Sequence, residues 1–137
     1  MILDADVIID LLRGLQPAKL WFSRLEHFPS VSGVALLEVL YGAPDAEGQR
    51  RIEKLVKPLS ILWPNEADAQ NARKLARYKL SDGIEMNDVL TAHIAMRHGL
   101  TLATFNIKHF RSIPGLSIMQ PYARTSEPTL TDEQAAP

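Results

Sequence analysis

Short apolar runs alternate along this chain with stretches of helical periodicity, and that alternation restricts the fold more than any other feature. Residues 1–3, 31–33, 59–63 and 100–104 read as short strands, and 116–119 as an edge strand. Helical patterns occupy 6–12, 17–27, 34–41, 45–57, 65–80 and 87–98, each closed by a glycine, a proline or a polar turn. Parallel strands need crossover connections, and crossover helices cover both faces of the sheet they join. The expected class is therefore α/β: a single domain with a short central parallel sheet flanked by helices on both faces. Its expected extent is 1–122. Residues from 121 onward are rich in Pro, Ser, Thr and Glu without periodicity, so 123–137 reads as a C-terminal tail.

Composition excludes several functions. The 137 residues contain no cysteine, which removes thiol chemistry and zinc–cysteine sites. No apolar run approaches the roughly 20 residues of a bilayer span, and Asp4, Asp6 and Asp10 break the first one, so it does not read as a signal peptide. A cytoplasmic protein without a membrane partner is expected. The net charge of -1 gives no global attraction to a polyanion, so any such contact must come from a local patch.

Four residues then stand out by position. Asp4 ends the first strand, Glu38 lies in the first turns of the helix after the second, Asp88 opens the buried sixth helix, and Asn106 follows the fourth strand. In a parallel sheet these places can share one edge. Carboxylates gathered there raise one another's pKa, and a hard divalent cation relieves the repulsion. Mg²⁺ or Mn²⁺ suits an all-oxygen set, with Asp4, Glu38 and Asp88 as the metal residues and Asn106 completing the catalytic group. A bound ion of this kind activates water and offsets phosphodiester charge. Asp6 has two readings: the N-cap of the first helix, or a contact to the metal and its water. Asp10 reads as a surface residue pairing with Arg13. His93 reads as a satisfied core histidine, and His27, His98 and His109 as surface or loop residues.

The same stretches resemble a known family. Leu3-Asp-Ala-Asp-Val-Ile-Ile-Asp-Leu-Leu-Arg-Gly14, Leu37-Glu-Val-Leu-Tyr-Gly42, Asn87-Asp-Val-Leu-Thr-Ala-His-Ile-Ala95 and the run from His98 to Phe110 resemble, in order, the four motifs of PIN domains, above all the VapC toxins of bacterial toxin–antitoxin pairs. The resemblance implies a Mg²⁺- or Mn²⁺-dependent endoribonuclease acting on RNA, a homodimer, and a cognate antitoxin that silences it. It matches Asp4, Glu38 and Asp88 to the three family acids, Asn106 to the fourth position and Thr104 to the threonine beside it. Two residues depart from the pattern: Asp6 stands where Asn is usual, and Ala35 where a hydroxyl residue is common.

The other expectations concern partners. Lys108 and Arg111, close after Asn106, and the helical stripe Arg50, Lys54 and Lys57 are candidate RNA phosphate contacts. Trp21 and Phe22, adjacent in one short helix, are expected to leave at least one ring exposed for the antitoxin. Three alternatives remain: a housekeeping PIN ribonuclease, a non-catalytic PIN binding module, and a haloacid-dehalogenase-like phosphatase suggested by Asp4-x-Asp6. The last lacks that family's later Lys and Gly-Asp-x-x-x-Asp signals.

Overall fold

The computed structural model describes residues 1–124. Five strands, β1 (Ile2–Leu3), β2 (Ser30–Ser32), β3 (Ser60–Leu62), β4 (Leu102–Ala103) and β5 (Ile118–Met119), form one sheet in the order β3-β2-β1-β4-β5. Every pairing is parallel. The chain steps outward from β1 through β2 to β3, then crosses back to lay β4 and β5 on the other side. The winding reverses between β1 and β4. The crevice outside the carboxyl ends of strands at such a reversal is where open α/β sheets bind ligands.

The helices are α1 (Ala5–Leu12), α2 (Gln16–Ser23), α3 (Gly33–Gly42), α4 (Ala46–Val56), α5 (Glu66–Leu75), α6 (Tyr78–Asp82), α7 (Met86–Arg97) and α8 (Ile107–Phe110). Successive strand residues point to opposite faces, so the sheet builds two cores. Leu3, Val31 and Ala103 pack with Val7 and Ile8 of α1, Leu36 and Val39 of α3, and Ile52 and Val56 of α4. Ile2 and Leu102 pack on the other face with Val89, Ala92 and Ile94 of α7 and Phe110 of α8. The expected helix-covered parallel sheet is thus present, with α7 buried as its apolar sequence requires.

Several local features differ from expectation. The helix expected over 65–80 is two helices, α5 and α6, with a break at Ala76–Arg77. Its start is as expected: Asn65 and Asp68 form a reciprocal capping box. Asp68 is almost fully buried because Arg97 grips it from α7: Nη2 donates to Oδ2 at 2.8 Å, and also to the Trp63 carbonyl at 3.0 Å. His93, between these helices, is not satisfied: its Nε2 is buried without a partner, and burial lowers its pKa. Trp63 lies directly over Gly33, where a Cβ would collide with the indole ring.

Asp10 is the largest departure. It is buried, not paired with Arg13 at the surface. Its Oδ2 accepts from the Tyr122 hydroxyl at 2.7 Å and from Arg124 Nε at 3.0 Å. Arg124 lies over the Phe105 ring, 4.1 Å from its centroid, and Tyr122 meets the same ring edge-on at 4.9 Å. Residues 122 and 124, around the expected start of the tail, therefore clamp α1 to the loop after β4. The remainder of that tail, 125–137, lies outside the described residues.

Candidate active site

The carboxyl ends of β1 and β4 bring Asp4, Asp6 and Thr104 together. Asp4, not Asp6, caps α1: its Oδ1 accepts from the Ala5 N–H at 2.9 Å. Its Oδ2 accepts from the Thr104 hydroxyl at 2.9 Å. Thr104 is fully buried, and its oxygen in turn accepts from the Asn106 N–H at 3.0 Å. One hydroxyl thus ties the first strand's acid to the loop after the fourth. Asp6 serves that loop differently. Its Oδ2 accepts from the Phe105 N–H at 2.9 Å, while its Oδ1 is buried with no partner. The Thr104 hydroxyl lies 3.4 Å from Asp6, but its single proton is directed to the nearer Asp4.

The other two acids come from helices that meet the same edge. Ser32, at the end of β2, caps α3 by accepting from the Ala35 N–H, and its hydroxyl meets that of Thr91 on α7 at 2.8 Å. This buried pair sets α3 against α7. It fixes the relation of Glu38, exposed at the rim in the second turn of α3, to Asp88 in the first turn of α7.

These carboxylates hold protons more tightly than isolated ones. Burial, then the charge of Asp6, pushes Asp4 from 3.8 up to about 7, against the bonds from Ala5 and Thr104. Burial also raises Asp6, opposed by the Phe105 N–H and by Arg124. Glu38 is raised by partial desolvation and by the charge of Asp88. Asp88 is raised by burial, against the nearby His109. Each ionised form is uncomfortable without a neutralising charge.

Does this set fit a metal? Among the described residues, no three acidic or imidazole groups stand close enough to grip an ion together. Mg²⁺ does not require that. It keeps several waters and takes one or two carboxylates directly. The orphaned Asp6 Oδ1 and the all-oxygen character of Asp4, Asp6, Glu38 and Asp88 suit such a hydrated hard ion.

A cleft of about 350 Å³ opens beside the acids, lined by Glu38, Glu85, Asn87, Asp88, Asn106 and His109. Asn106 is at the expected place, but its amide is turned to His109, with Nδ2 2.7 Å from the ring Nδ1. The same Nδ1 lies 3.3 Å from Asp88 Oδ2. His109 is therefore part of the cleft and not a loop residue away from it. The signal was its spacing: His109 is three residues after Asn106, so one turn of α8 brings the two side chains together.

The basic candidates divide. Lys108 and Arg111 are exposed on α8 and at its C-cap, close to the cleft. Arg50 pairs with Glu47 at 2.6 Å, and the neighbouring Arg51 donates to the Leu12 carbonyl that ends α1. Lys54 and Lys57 lie where α4 runs into β3, at the amino end of the sheet, so the stripe leads away from the acids. Trp21 and Phe22 are both half-buried, against Tyr122 and Phe28, which corrects the expectation of an exposed ring there. The exposed apolar side chains include Leu37, Tyr41, Trp63, Leu80 and Met86. A larger groove of about 670 Å³ runs between α1, α3 and α4, walled by Ile9, Leu12, Val39 and Ile52, with Glu38 also lining it.

Comparison with known proteins gives a consistent set. A family model described as PIN domain matches residues 1–116. Ribonuclease VapC1 of Rickettsia felis is 31% identical, covering 87% of this chain and 94% of that protein. Among solved structures, VapBC-1 from nontypeable Haemophilus influenzae is similar with a TM-score of 0.69 and 27% identity, over 86% of this chain and 95% of that one. A toxin–antitoxin complex from Klebsiella pneumoniae shares the fold, with a TM-score of 0.71 and 24% identity over 88% of this chain and 97% of that one.

Proposed function

This chain belongs to the PIN-domain family, and we propose that within it the protein is a divalent-metal-dependent endoribonuclease, the toxin half of a toxin–antitoxin pair. One observation supports the reading: the elements bearing Asp4, Glu38 and Asp88 converge on the carboxyl edge of the sheet, and burial raises the proton affinity of each, with the charge of Asp88 adding to the rise at Asp4 and Glu38. The relative's name, a ribonuclease, supplies the substrate class. Membership of the PIN family removes the phosphatase alternative.

The residues divide the work as follows. Asp4, Asp88 and Glu38 are the groups that would hold Mg²⁺ or Mn²⁺, with Asp6 and Asn106 beside them. The ion, when bound, lowers the pKa of a water and offsets charge on the phosphodiester. Thr104 holds the Asp4 carboxylate in one orientation through its hydroxyl. Asp6 holds the 104–106 loop against α1 through the Phe105 N–H. Glu38, exposed at the rim, is placed to take a proton from an approaching water. Lys108 and Arg111 supply positive charge for the RNA backbone beside the acids.

The partners follow from the same surface. The antitoxin reading is supported by the toxin–antitoxin complex of like fold, and the apolar groove between α1, α3 and α4 is its seat here in place of Trp21 and Phe22. The groove borders Glu38, so a segment lying in it can cover the mouth of the site. Leu37, Tyr41 and Met86, exposed on α3 and α7, form the face of a homodimer.

Purified protein should cleave single-stranded RNA with Mg²⁺ or Mn²⁺, stop when the ion is chelated, and lose activity in Asp4→Asn. Equal cleavage by that variant sinks the assignment. Co-expression with the neighbouring open reading frame should yield a complex; a housekeeping nuclease would purify alone.

A further inference from the structure

RNA must enter a cleft whose walls repel it. Of the lining residues, Glu38 and Asp88 carry negative charge into the opening, and so does Glu85 at its edge, although Lys79 binds that one at 2.7 Å. Donors able to meet a phosphate oxygen are therefore few. Asn87 acts on Glu38, where it lowers the pKa that burial raises. The Asn106 amide is committed to His109, and its backbone N–H to Thr104. That leaves the imidazole of His109. Its Nδ1 is anchored by the Asn106 amide at 2.7 Å, with Asp88 Oδ2 in contact at 3.3 Å, which orients the ring. Its Nε2 makes no hydrogen bond among the described residues, and the side chain is 41% exposed. The shorter contact, with the Asn106 amide donating to Nδ1, puts the ring proton on Nε2.

We infer that His109 is a substrate-contacting residue, whose Nε2–H donates to a phosphate oxygen of the RNA lying against Asp88. The inference rests on the ribonuclease reading and names a donor within the cleft for that substrate, beside the charge of Lys108 and Arg111 outside it. It needs no charge on the ring: a neutral imidazole with its proton on Nε2 is a sufficient donor. Asn106 then has a positioning role, holding the ring that meets the phosphate.

Two near-isosteric substitutions separate contact from support. Glutamine extends its amide to where Nε2 lies, and asparagine ends where Nδ1 lies. The three variants His109→Gln, His109→Asn and His109→Ala are made in full-length protein with Asp4 intact, and binding is measured in chelator, where cleavage should stop. Binding of a short fluorescent single-stranded RNA is followed by anisotropy, with thermal unfolding as the check on folding. His109→Asn and His109→Ala should weaken binding about tenfold, the worth of one hydrogen bond to a charged group, and His109→Gln less than about threefold. With Mg²⁺ in place of chelator, KM should move in the same order. Wild-type-like binding by His109→Asn would overturn the inference, because supporting Asn106 and Asp88 would then be the whole role of the ring. Equal losses in His109→Gln and His109→Ala would overturn it too. If the protein with His109 intact neither binds nor cuts RNA, the ribonuclease reading itself falls and takes the inference with it.

Discussion

Replacing Asp4 by asparagine should make the fold more stable at neutral pH while removing its activity. The carboxyl titrates near 3.8 in an unfolded chain and at about 7 in the folded one. A group whose folded pKa is raised favours folding most below its unfolded value, and that advantage is lost as pH rises through the folded value. Between about pH 4 and pH 7 the folded protein keeps a proton that the unfolded chain has released, so stability falls with pH across this window. A shift of about three units at 1.36 kcal/mol each is a loss of about 4 kcal/mol, an upper figure because hydration of the cleft relaxes it. Asparagine cannot ionise, so its stability should lack this part of the slope. Asn can still accept from the Ala5 N–H or the Thr104 hydroxyl. Urea unfolding of both proteins in chelator, from pH 4 to pH 8, measures the difference. The curves should meet near pH 4 and separate upward, with the variant more stable by about 2–4 kcal/mol at pH 8. Parallel curves, or a variant less stable at pH 8, would refute the claim that burial and Asp6 load the Asp4 carboxylate.

Other parts of the structure make separate predictions. Thr104→Val keeps the side-chain shape but leaves Asp4 Oδ2 and the Asn106 N–H without their partner, so urea unfolding should show a loss of about 2–4 kcal/mol, largely restored by Thr104→Ser. Asp10→Ala strands the Tyr122 hydroxyl and releases half-exposed Arg124, for a loss of about 2–3 kcal/mol; Trp21, packed on Tyr122, should report it by a change in fluorescence. Gly33→Ala drives a Cβ into the Trp63 ring and should cost about 1–3 kcal/mol with a shifted indole emission.

The sheet and its parallel sense were legible because short apolar runs and helical periods alternate, and the apolar residues spread around most of α7 marked it as buried. The positions of Asp4, Glu38 and Asp88 were legible for the same reason: each stands where a strand or helix meets one edge. What escaped depends on contacts between distant segments. The sequence does not say that Tyr122 and Arg124 return to Asp10, since that pairing spans more than a hundred residues. Asp10 therefore looked like a surface acid, and the segment carrying its partners like the approach to a tail. The N-cap was misplaced by two residues because Asp4 and Asp6 are both good caps, and only the Thr104 and Phe105 partners distinguish them. His109 was hidden in a loop whose single helical turn is too short to show periodicity. Trp21 and Phe22 are covered by Tyr122 and Phe28, neither of which their own helix predicts.

The central claim is that Asp4, Glu38 and Asp88 act as one hydrated-cation site. Titration of Mn²⁺ followed by electron paramagnetic resonance, with RNA cleavage measured on the same samples, tests it most directly. The protein should take up Mn²⁺ with cleavage rising in step, and Asp4→Asn and Asp88→Asn should each weaken uptake about tenfold or more while staying folded, as losing one charged ligand requires. Undiminished Mn²⁺ uptake in both variants, or cleavage that proceeds unchanged in chelator, would contradict the account.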